Sequence, residues 1–272
     1  MKGADLLKFL LSLIVVWMHT GISIGFVGWV IPTYYALSGF FLFGKILNNR
    51  EKSTNTLVTW LRKTLRLYLI WTIIYIPFAI IGLKQDGLPT LKAIAIWFRN
   101  ILFVGENYLS WPLWYLLGLL QAGVIIWLAE KLKFPLWIYP FLAIGLWLLP
   151  HIIPLNDIHF FTTIFKHTRN GFFIGFPYMV LGGVIKYCFP KLKGWETDNR
   201  YYTPAITLRY FSIHIYLTHM LWAGCLMLSL SMPRSIILWV ITCTIALVTG
   251  CVLLPFPIIQ RFLYGRAYLN RI

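Results

Sequence analysis

Two histidines and one lysine inside otherwise apolar runs are the residues of this sequence best suited to chemistry. Lys8 and His19 lie eleven residues apart, which is about three helical turns, so both project from one face of a helix. His219 lies in a later apolar run at a similar depth. Ionisable groups in apolar spans indicate function, and imidazole suits proton transfer near neutral pH. A snorkelling lysine and packing histidines are the alternative, and we interpret the shallower His214 as structural.

A cluster of basic residues begins the third apolar run. Arg62 and Arg66 are four residues apart, and Lys63 and Arg66 are three apart, so the three side chains converge at one end of a helix. Guanidinium groups bind phosphate through paired hydrogen bonds, and the cluster would therefore suit a phosphorylated cytosolic cofactor. The same cluster is also typical of a signal that sets membrane topology.

Two further stretches combine small, aromatic and polar residues. Ser38-Gly39 removes bulk from the second apolar run, which favours close helix packing. The stretch 106–115 contains Glu106, Trp114 and Tyr115. Its mixture of aromatic faces and polar groups is typical of a sugar-binding surface and, more often, of an interfacial aromatic belt. The histidines of the loop 151–170 are too widely spaced for a metal site, so we expect none.

Composition indicates the class of protein that carries these residues. Hydrophobic residues make up 59% of the 272 residues, charged residues only 12%, and the mean hydropathy is +0.74. These values exclude a soluble enzyme, a disordered tail and a secreted disulfide scaffold. The net charge of +16 comes from short basic clusters between apolar runs, which is typical of membrane topology. We therefore expect membrane lipid as a partner and no nucleic acid.

The apolar runs predict an all-α, polytopic membrane helix bundle that occupies the whole chain, 1–272, as one domain. A span needs roughly 20 apolar residues. The candidate spans are 5–26, 28–46, 57–82, 112–130, 135–150, 171–189, 207–229 and 234–256. The segment 91–104 is short and interrupted by Lys92, Arg99 and Asn100. If it does not cross, 18 of the 24 Lys and Arg residues lie inside, as the positive-inside rule requires. We predict eight spanning helices, an interfacial or re-entrant helix at 91–105, and both termini in the cytoplasm.

Together these segments resemble the membrane-bound acyltransferase-3 family, which O-acylates cell-surface polysaccharides and related envelope molecules. The resemblance covers most of the chain and rests on short motifs that occur in order. They are Lys8 with His19, Ser38-Gly39-Phe40, Lys63-Thr-Leu-Arg66, Leu113–Leu116, Arg169-Asn-Gly-Phe-Phe173 and Tyr216–His219. The chain departs from the family in three ways. Lys8 replaces the commoner Arg, Pro112 stands where a His is frequent, and two family helices expected near 190–205 have no counterpart.

The resemblance implies an O-acetyltransferase-like enzyme of the bacterial inner membrane. Its donor would be cytosolic acyl-CoA, most simply acetyl-CoA, and its acceptor a hydroxyl of a surface glycan or lipid-linked precursor at the outer face. Lys63 and Arg66, with Arg62 and Lys8, would bind the CoA phosphates. His19 would act as general base or as transient acyl carrier. His219 would orient His19 or protonate the leaving thiolate, and Ser38 would stabilise the oxyanion. The acceptor would contact Glu106, Trp114, Tyr115, Arg169 and Asn170.

Two other functional classes use the same residues without chemistry. A transporter or flippase of an envelope glycan would use the intramembrane charges as a substrate path, and an assembly subunit of an envelope polymerase would use them for contacts. The basic cluster and the two histidines at similar depth favour the enzyme. No carboxylate lies in the middle of any span, whereas transporters commonly use such groups. The oligomeric state is open, with a homodimer as one candidate.

Overall fold

A computed structural model describes residues 2–21, 27–85, 87, 90–189 and 203–265. Over these residues the chain is helical and contains no β-strand. Two π-helical turns, Asn100–Val104 and Gly171–Gly175, accompany the α-helices. The α-helices are α1 (Lys2–Thr20), α2 (Val30–Asn48), α3 (Ser53–Ile74), α4 (Ile76–Gln85), α5 (Thr90–Arg99), α6 (Leu113–Lys131), α7 (Ile138–Ile152), α8 (His159–Phe165), α9 (Phe176–Cys188), α10 (Thr203–Ser229), α11 (Ile236–Leu253) and α12 (Pro257–Tyr264).

Most of these helices are suited to a membrane. Six segments in the described residues are long and apolar enough to span: most or all of α1, α2, α6, α10 and α11, and α9 with the π-helical turn before it. A seventh candidate joins α3 to α4 across a 54° bend. At the bend Pro77 cannot donate a backbone hydrogen bond and clashes with the preceding turn. The prediction of an all-helical, multi-pass membrane protein is confirmed, and the location of the termini stays a prediction.

Helix α1 ends earlier than the predicted span 5–26, and α7 leaves the predicted span at 135–150 untested. Helix α1 ends at Thr20, before the predicted end at 26, and residues 22–26 lie outside the described residues. Helix α7 has 15 residues, fewer than a span usually needs, so the count of eight spans stays a prediction. The segment 91–105 forms α5 and the first π-helical turn, and neither is a candidate span. The stretch 190–202, where two family helices were expected, lies outside the described residues.

The first of two compact units comprises Met1–Val30 and Lys191–Ile272. Its helix α1 packs against α10 and α11 through a small core, Val16, Ile215, Cys243 and Ala246. The Trp239 indole donates a hydrogen bond to the Leu13 carbonyl at 3.1 Å. The Ser235 backbone N–H donates to the Thr20 carbonyl at 2.7 Å, which satisfies one orphan carbonyl at the end of α1. These contacts hold the end of α1, and with it His19, in place.

The second unit, Ile31–Pro190, is held together by close helix crossings at glycines. A Cβ on Gly39 of α2 would lie 1.9 Å from the Met179 carbonyl oxygen of α9. A Cβ on Gly182 of α9 would lie equally close, 1.9 Å, to the Ala36 carbonyl oxygen of α2. The two backbones are therefore in direct contact, as small residues allow in membrane helices. The packing interpretation of Ser38-Gly39 is confirmed for Gly39.

We expect Gly39→Ala to lower the thermal stability of the detergent-solubilised protein. The new methyl group meets backbone atoms of α9, so the helices must separate, at a cost of roughly 1–3 kcal/mol. The matched control is Gly145→Ala in α7, where a Cβ meets nothing within 4 Å and alanine improves helix propensity. Equal unfolding midpoints for the two variants would contradict the close crossing.

Candidate active site

The two histidines singled out in the sequence lie face to face in the first unit. The rings of His19 and His219 are stacked, with centroids 5.4 Å apart and planes inclined by 16°. His19 belongs to the last turn of α1 and is partly exposed. His219 belongs to the middle of α10 and is fully buried. Two separate helices thus bring together the imidazoles that the sequence placed at similar depth.

The hydrogen bonds of His219 define its tautomer. Its Nδ1 lies 2.8 Å from the Tyr216 carbonyl oxygen and 3.2 Å from that of Ile215. A carbonyl oxygen only accepts hydrogen bonds, so Nδ1 carries the proton and neutral His219 has a lone pair on Nε2. Nε2 is buried and has no hydrogen-bond partner in the described part of the chain. A buried acceptor without a partner is uncommon, and this one is suited to taking a proton.

His214, on the same helix, has a different environment. Its Nδ1 is hydrogen-bonded to the Tyr264 hydroxyl, and its Nε2 lies 3.0 Å from the Thr249 hydroxyl. The ring also stacks against Tyr210. Because both nitrogens are engaged, His214 connects α10 to α11 and α12, which agrees with the structural interpretation made from the sequence.

An ion pair between a buried aspartate and a partly exposed arginine near the start of α1 was not anticipated. Arg209 of α10 donates two parallel hydrogen bonds to Asp5, at 2.9 Å and 2.8 Å. Asp5 is fully buried. Lys8, one turn further along α1, is partly buried. In the sequence, Arg209 was one of the 18 basic residues predicted to lie inside, and the signal for an ion pair was Asp5, one turn before Lys8.

The predicted phosphate-binding residues of α3 belong to the second unit. Arg62, Lys63 and Arg66 are all exposed on the helix. Thr64, between them, is buried, and its hydroxyl donates to the Trp60 carbonyl at 3.0 Å. The helix thus has an inward face and a basic outer face. Lys8 lies in the other unit, and a pocket common to Lys8, Lys63 and Arg66 stays a prediction.

Ser38 contacts Tyr115, another of the predicted site residues. The two hydroxyl oxygens are 2.9 Å apart. Tyr115 also donates to the Tyr34 carbonyl at 3.3 Å, and in that arrangement Ser38 must donate to Tyr115. Tyr115 is buried, and its ring lies 4.8 Å from that of Tyr35. The contact joins α2 to α6, and an oxyanion role for Ser38 would require its hydroxyl to turn away from Tyr115.

The remaining predicted acceptor contacts lie in or beside the loops of the second unit. Trp114 is partly exposed, and its ring lies 6.4 Å from that of Tyr35. Arg169 is exposed, which leaves it accessible to a ligand. Asn170 is buried, and its side-chain oxygen accepts hydrogen bonds from the backbone N–H groups of Phe172 and Phe173. Asn170 therefore caps the second π-helical turn.

Glu106, another predicted acceptor contact, forms ion pairs with two residues of the same loop region. Its Oε1 lies 3.0 Å from Lys166 Nζ and 3.4 Å from His167 Nε2. Burial alone would raise the pKa of this carboxyl, but hydrogen bonds from His167 and Lys166 and their charges outweigh burial and lower the pKa to about 2. The carboxylate therefore stays ionised throughout the physiological range.

We expect the stabilisation that Glu106 provides to disappear in acid. Its folded-state pKa lies below the ordinary value of 4.5, so the contribution is complete above pH 4.5 and is lost as the pH falls from 4.5 toward 2. Glu106→Gln should be roughly 1–3 kcal/mol less stable than the parent at pH 7, and the two should converge in acid. Unfolding measured against pH tests this, with exposed Asp157→Asn as control. A difference that persists at pH 2 would contradict the ion pairs.

Gln121 of α6 links the two π-helical turns and was not anticipated either. Its side-chain nitrogen donates to the Phe103 carbonyl at 3.1 Å, and its side-chain oxygen accepts from the Gly171 N–H at 2.8 Å. One amide thus satisfies backbone groups in both turns, where the regular helical pattern is interrupted. The sequence held only a weak signal, a lone Gln in an apolar run.

In the described residues no group of His, Cys, Asp and Glu is arranged to hold a metal ion.

The fold and the buried polar groups define an all-helical, multi-pass membrane protein with a pair of stacked imidazoles in its first unit. Comparisons of the chain with family models, with curated proteins and with solved structures found no match.

Proposed function

We propose that the chain is an integral-membrane O-acyltransferase of a bacterial plasma membrane, with eight spans and both termini in the cytoplasm. It would transfer an acyl group, most simply acetyl, from cytosolic acyl-CoA to a hydroxyl of a surface glycan or envelope precursor at the outer face. The observation that carries the proposal is the His19–His219 stack, with its buried Nε2 acceptor. Placing two imidazoles together in apolar spans costs free energy, which indicates that they have a functional role.

The basic face of α3 supports donor binding. Arg62, Lys63 and Arg66 are exposed, and their spacing allows them to surround one phosphate group. That Lys8 adds a fourth positive charge to donor binding stays a prediction from the sequence. An acyl-CoA carries several phosphate charges and a thioester on a long arm, so basic residues at the cytoplasmic mouth and a proton acceptor deeper in the span are what the donor requires.

The reaction needs one proton to move twice. In the first step a histidine Nε2 takes the proton of the acceptor hydroxyl as the oxygen forms a bond to the thioester carbonyl carbon. In the second step the carbon–sulfur bond breaks, and the imidazolium returns the proton to the CoA thiolate. Neutral His219 has no proton on Nε2, so it can protonate the thiolate only after accepting the hydroxyl proton. His219 is therefore suited to carry the proton through both steps, and His19, stacked beside it, is the alternative base.

The test is purified protein in nanodiscs with acetyl-CoA and oligosaccharide acceptors of the cell envelope. We expect protein-dependent release of CoA thiol, together with acetyl ester on the acceptor. A transporter or flippase would instead move the glycan between compartments and release no thiol. Glycan transfer across a vesicle membrane without thiol release would therefore reject the acyltransferase and support the alternative.

We expect Arg66→Ala to weaken acetyl-CoA binding by roughly 1.5–3 kcal/mol, or about 10- to 150-fold in Kd. The physical reason is the loss of one charge-assisted contact with phosphate. Calorimetric titration measures it, and Lys52→Ala is the control because Lys52 is also basic and exposed but precedes α3. If both variants bind acetyl-CoA as the parent does, Arg66 is a topology signal only.

A further inference from the structure

An apolar groove opens on the second unit between α2, α7 and α9. Its volume is about 240 Å³. Trp137 and Tyr187 at its edge are 64% and 68% exposed, so the groove is open to its surroundings. The lining residues are Phe43, Leu47, Leu136, Trp137, Tyr139, Pro140, Val180, Gly183, Val184 and Tyr187. They come from the C-terminal half of α2, the middle and C-terminal end of α9, the N-terminal part of α7 and the loop before it.

The same end of the unit carries a basic rim, which we define as Lys45, Arg50, Lys131 and Lys133. All four are exposed, and each lies within five residues of a lining residue along the chain. Arg50 donates to the Phe134 carbonyl at 2.8 Å, which holds the loop before α7 against the end of α2. Buried Glu130 accepts a hydrogen bond from lining residue Tyr139 at 2.7 Å and forms an ion pair with Arg50 at 3.9 Å. Glu51, next to Arg50 in the chain, is exposed. Four basic and two acidic residues leave this end of the unit with a net positive charge.

We propose that the groove and the basic rim bind one anionic phospholipid, with an acyl chain in the groove and the phosphate at the rim. Basic pockets between membrane helices bind anionic headgroups, at about 1 kcal/mol for each Lys or Arg near the surface. Each methylene group of the lipid acyl chain that is buried in the groove adds favourable binding free energy. Exposed Trp and Tyr at the groove edge are typical of the level where headgroups begin. The site is separate from the proposed acyl transfer and does not depend on it.

Charge also argues against a second copy of this chain as the occupant. A symmetric dimer joined through the groove would bring the same patch of both copies together. Two basic rims would then face each other and repel. An anionic phosphate neutralises the same charges.

Binding in the groove is tested with phosphatidylglycerol that carries a photoactivatable acyl chain. This lipid probe is diluted into phosphatidylcholine nanodiscs that contain the protein. The parent protein should be labelled at peptides that line the groove, and Val184→Trp, which fills it, should reduce this labelling about tenfold. Leu181→Trp is the matched control because Leu181 lies on the same helix, is 47% exposed and does not line the groove. Equal labelling of the two variants would overturn the proposal.

The headgroup contact is tested with the same probe on phosphatidylglycerol and on phosphatidylcholine. Lys133→Gln should lower labelling by the anionic probe about fivefold and leave labelling by the zwitterionic probe unchanged, with Lys92→Gln on α5 as control. Three results would overturn the proposal: equal labelling by the two headgroups in the parent, competition by long-chain acyl-CoA but not by unlabelled phosphatidylglycerol, or conversion of a dimer to a monomer by Val184→Trp.

Discussion

His219→Asn is expected to lower the turnover of acyl transfer by about 10²–10⁴-fold while the protein remains folded. Asparagine places an amide N–H near the position of Nδ1, so the hydrogen bonds to the Tyr216 and Ile215 carbonyls can persist. It has no group at the position of Nε2, and the lone pair that would accept the hydroxyl proton is lost. The variant thus separates the chemistry of His219 from its role in packing.

The matched control for His219→Asn is His214→Asn on the same helix. His214 bonds Tyr264 and Thr249 through its two nitrogens, so its loss should lower the unfolding midpoint and leave the turnover of the folded fraction within a few-fold of the parent. The two variants should therefore show opposite patterns of stability and turnover. If His219→Asn folds and retains near-normal turnover, His219 does not carry the proton.

His19→Ala is expected to have an effect of similar size, about 10²–10⁴-fold on turnover. Its ring stacks on that of His219, and residues that act as one unit give losses that are far from additive. The double variant His19→Ala/His219→Asn should therefore be little slower than either single variant. Turnover is compared at saturating acetyl-CoA, so that any change in donor binding is separated from the chemical step.

Added imidazole distinguishes a chemical role of His19 from a packing role. If the missing ring was a base or a nucleophile, millimolar imidazole should restore part of the turnover of His19→Ala. A packing role would instead appear as a lower unfolding midpoint that imidazole does not repair. Normal turnover in a well-folded His19→Ala would reject His19 and leave His219 as the single candidate base.

The sequence was sufficient to predict the features that follow from local pattern. Apolar runs of span length predicted the helices, because a membrane requires backbone hydrogen bonds to be made within each segment. The depths of His19 and His219 could be compared because each run has a recognisable start. The bend between α3 and α4 was missed although Pro77 is a local signal for it, and the end of α1 at Thr20 was missed as well.

Contacts between distant residues could not be predicted from one sequence. Asp5 and Arg209 are 204 residues apart in the chain and meet only because α1 packs against α10. The tautomer of His219 follows from the position of two carbonyl oxygens relative to its ring, which no spacing rule reveals. Gly39 was placed correctly in a close helix crossing, but the contact of Ser38 with Tyr115 depends on the register between α2 and α6.

Acyl transfer across a sealed membrane tests the central claim most directly. Labelled acetyl-CoA is supplied outside proteoliposomes that enclose an envelope oligosaccharide, and label on the enclosed oligosaccharide is measured over time. We predict that label accumulates with the parent protein and falls to background with His19→Ala and with His219→Asn. Two results would contradict acyl transfer by this histidine pair. One is an oligosaccharide that stays unlabelled although the folded parent protein binds acetyl-CoA. The other is labelling by both variants at the rate of the parent protein.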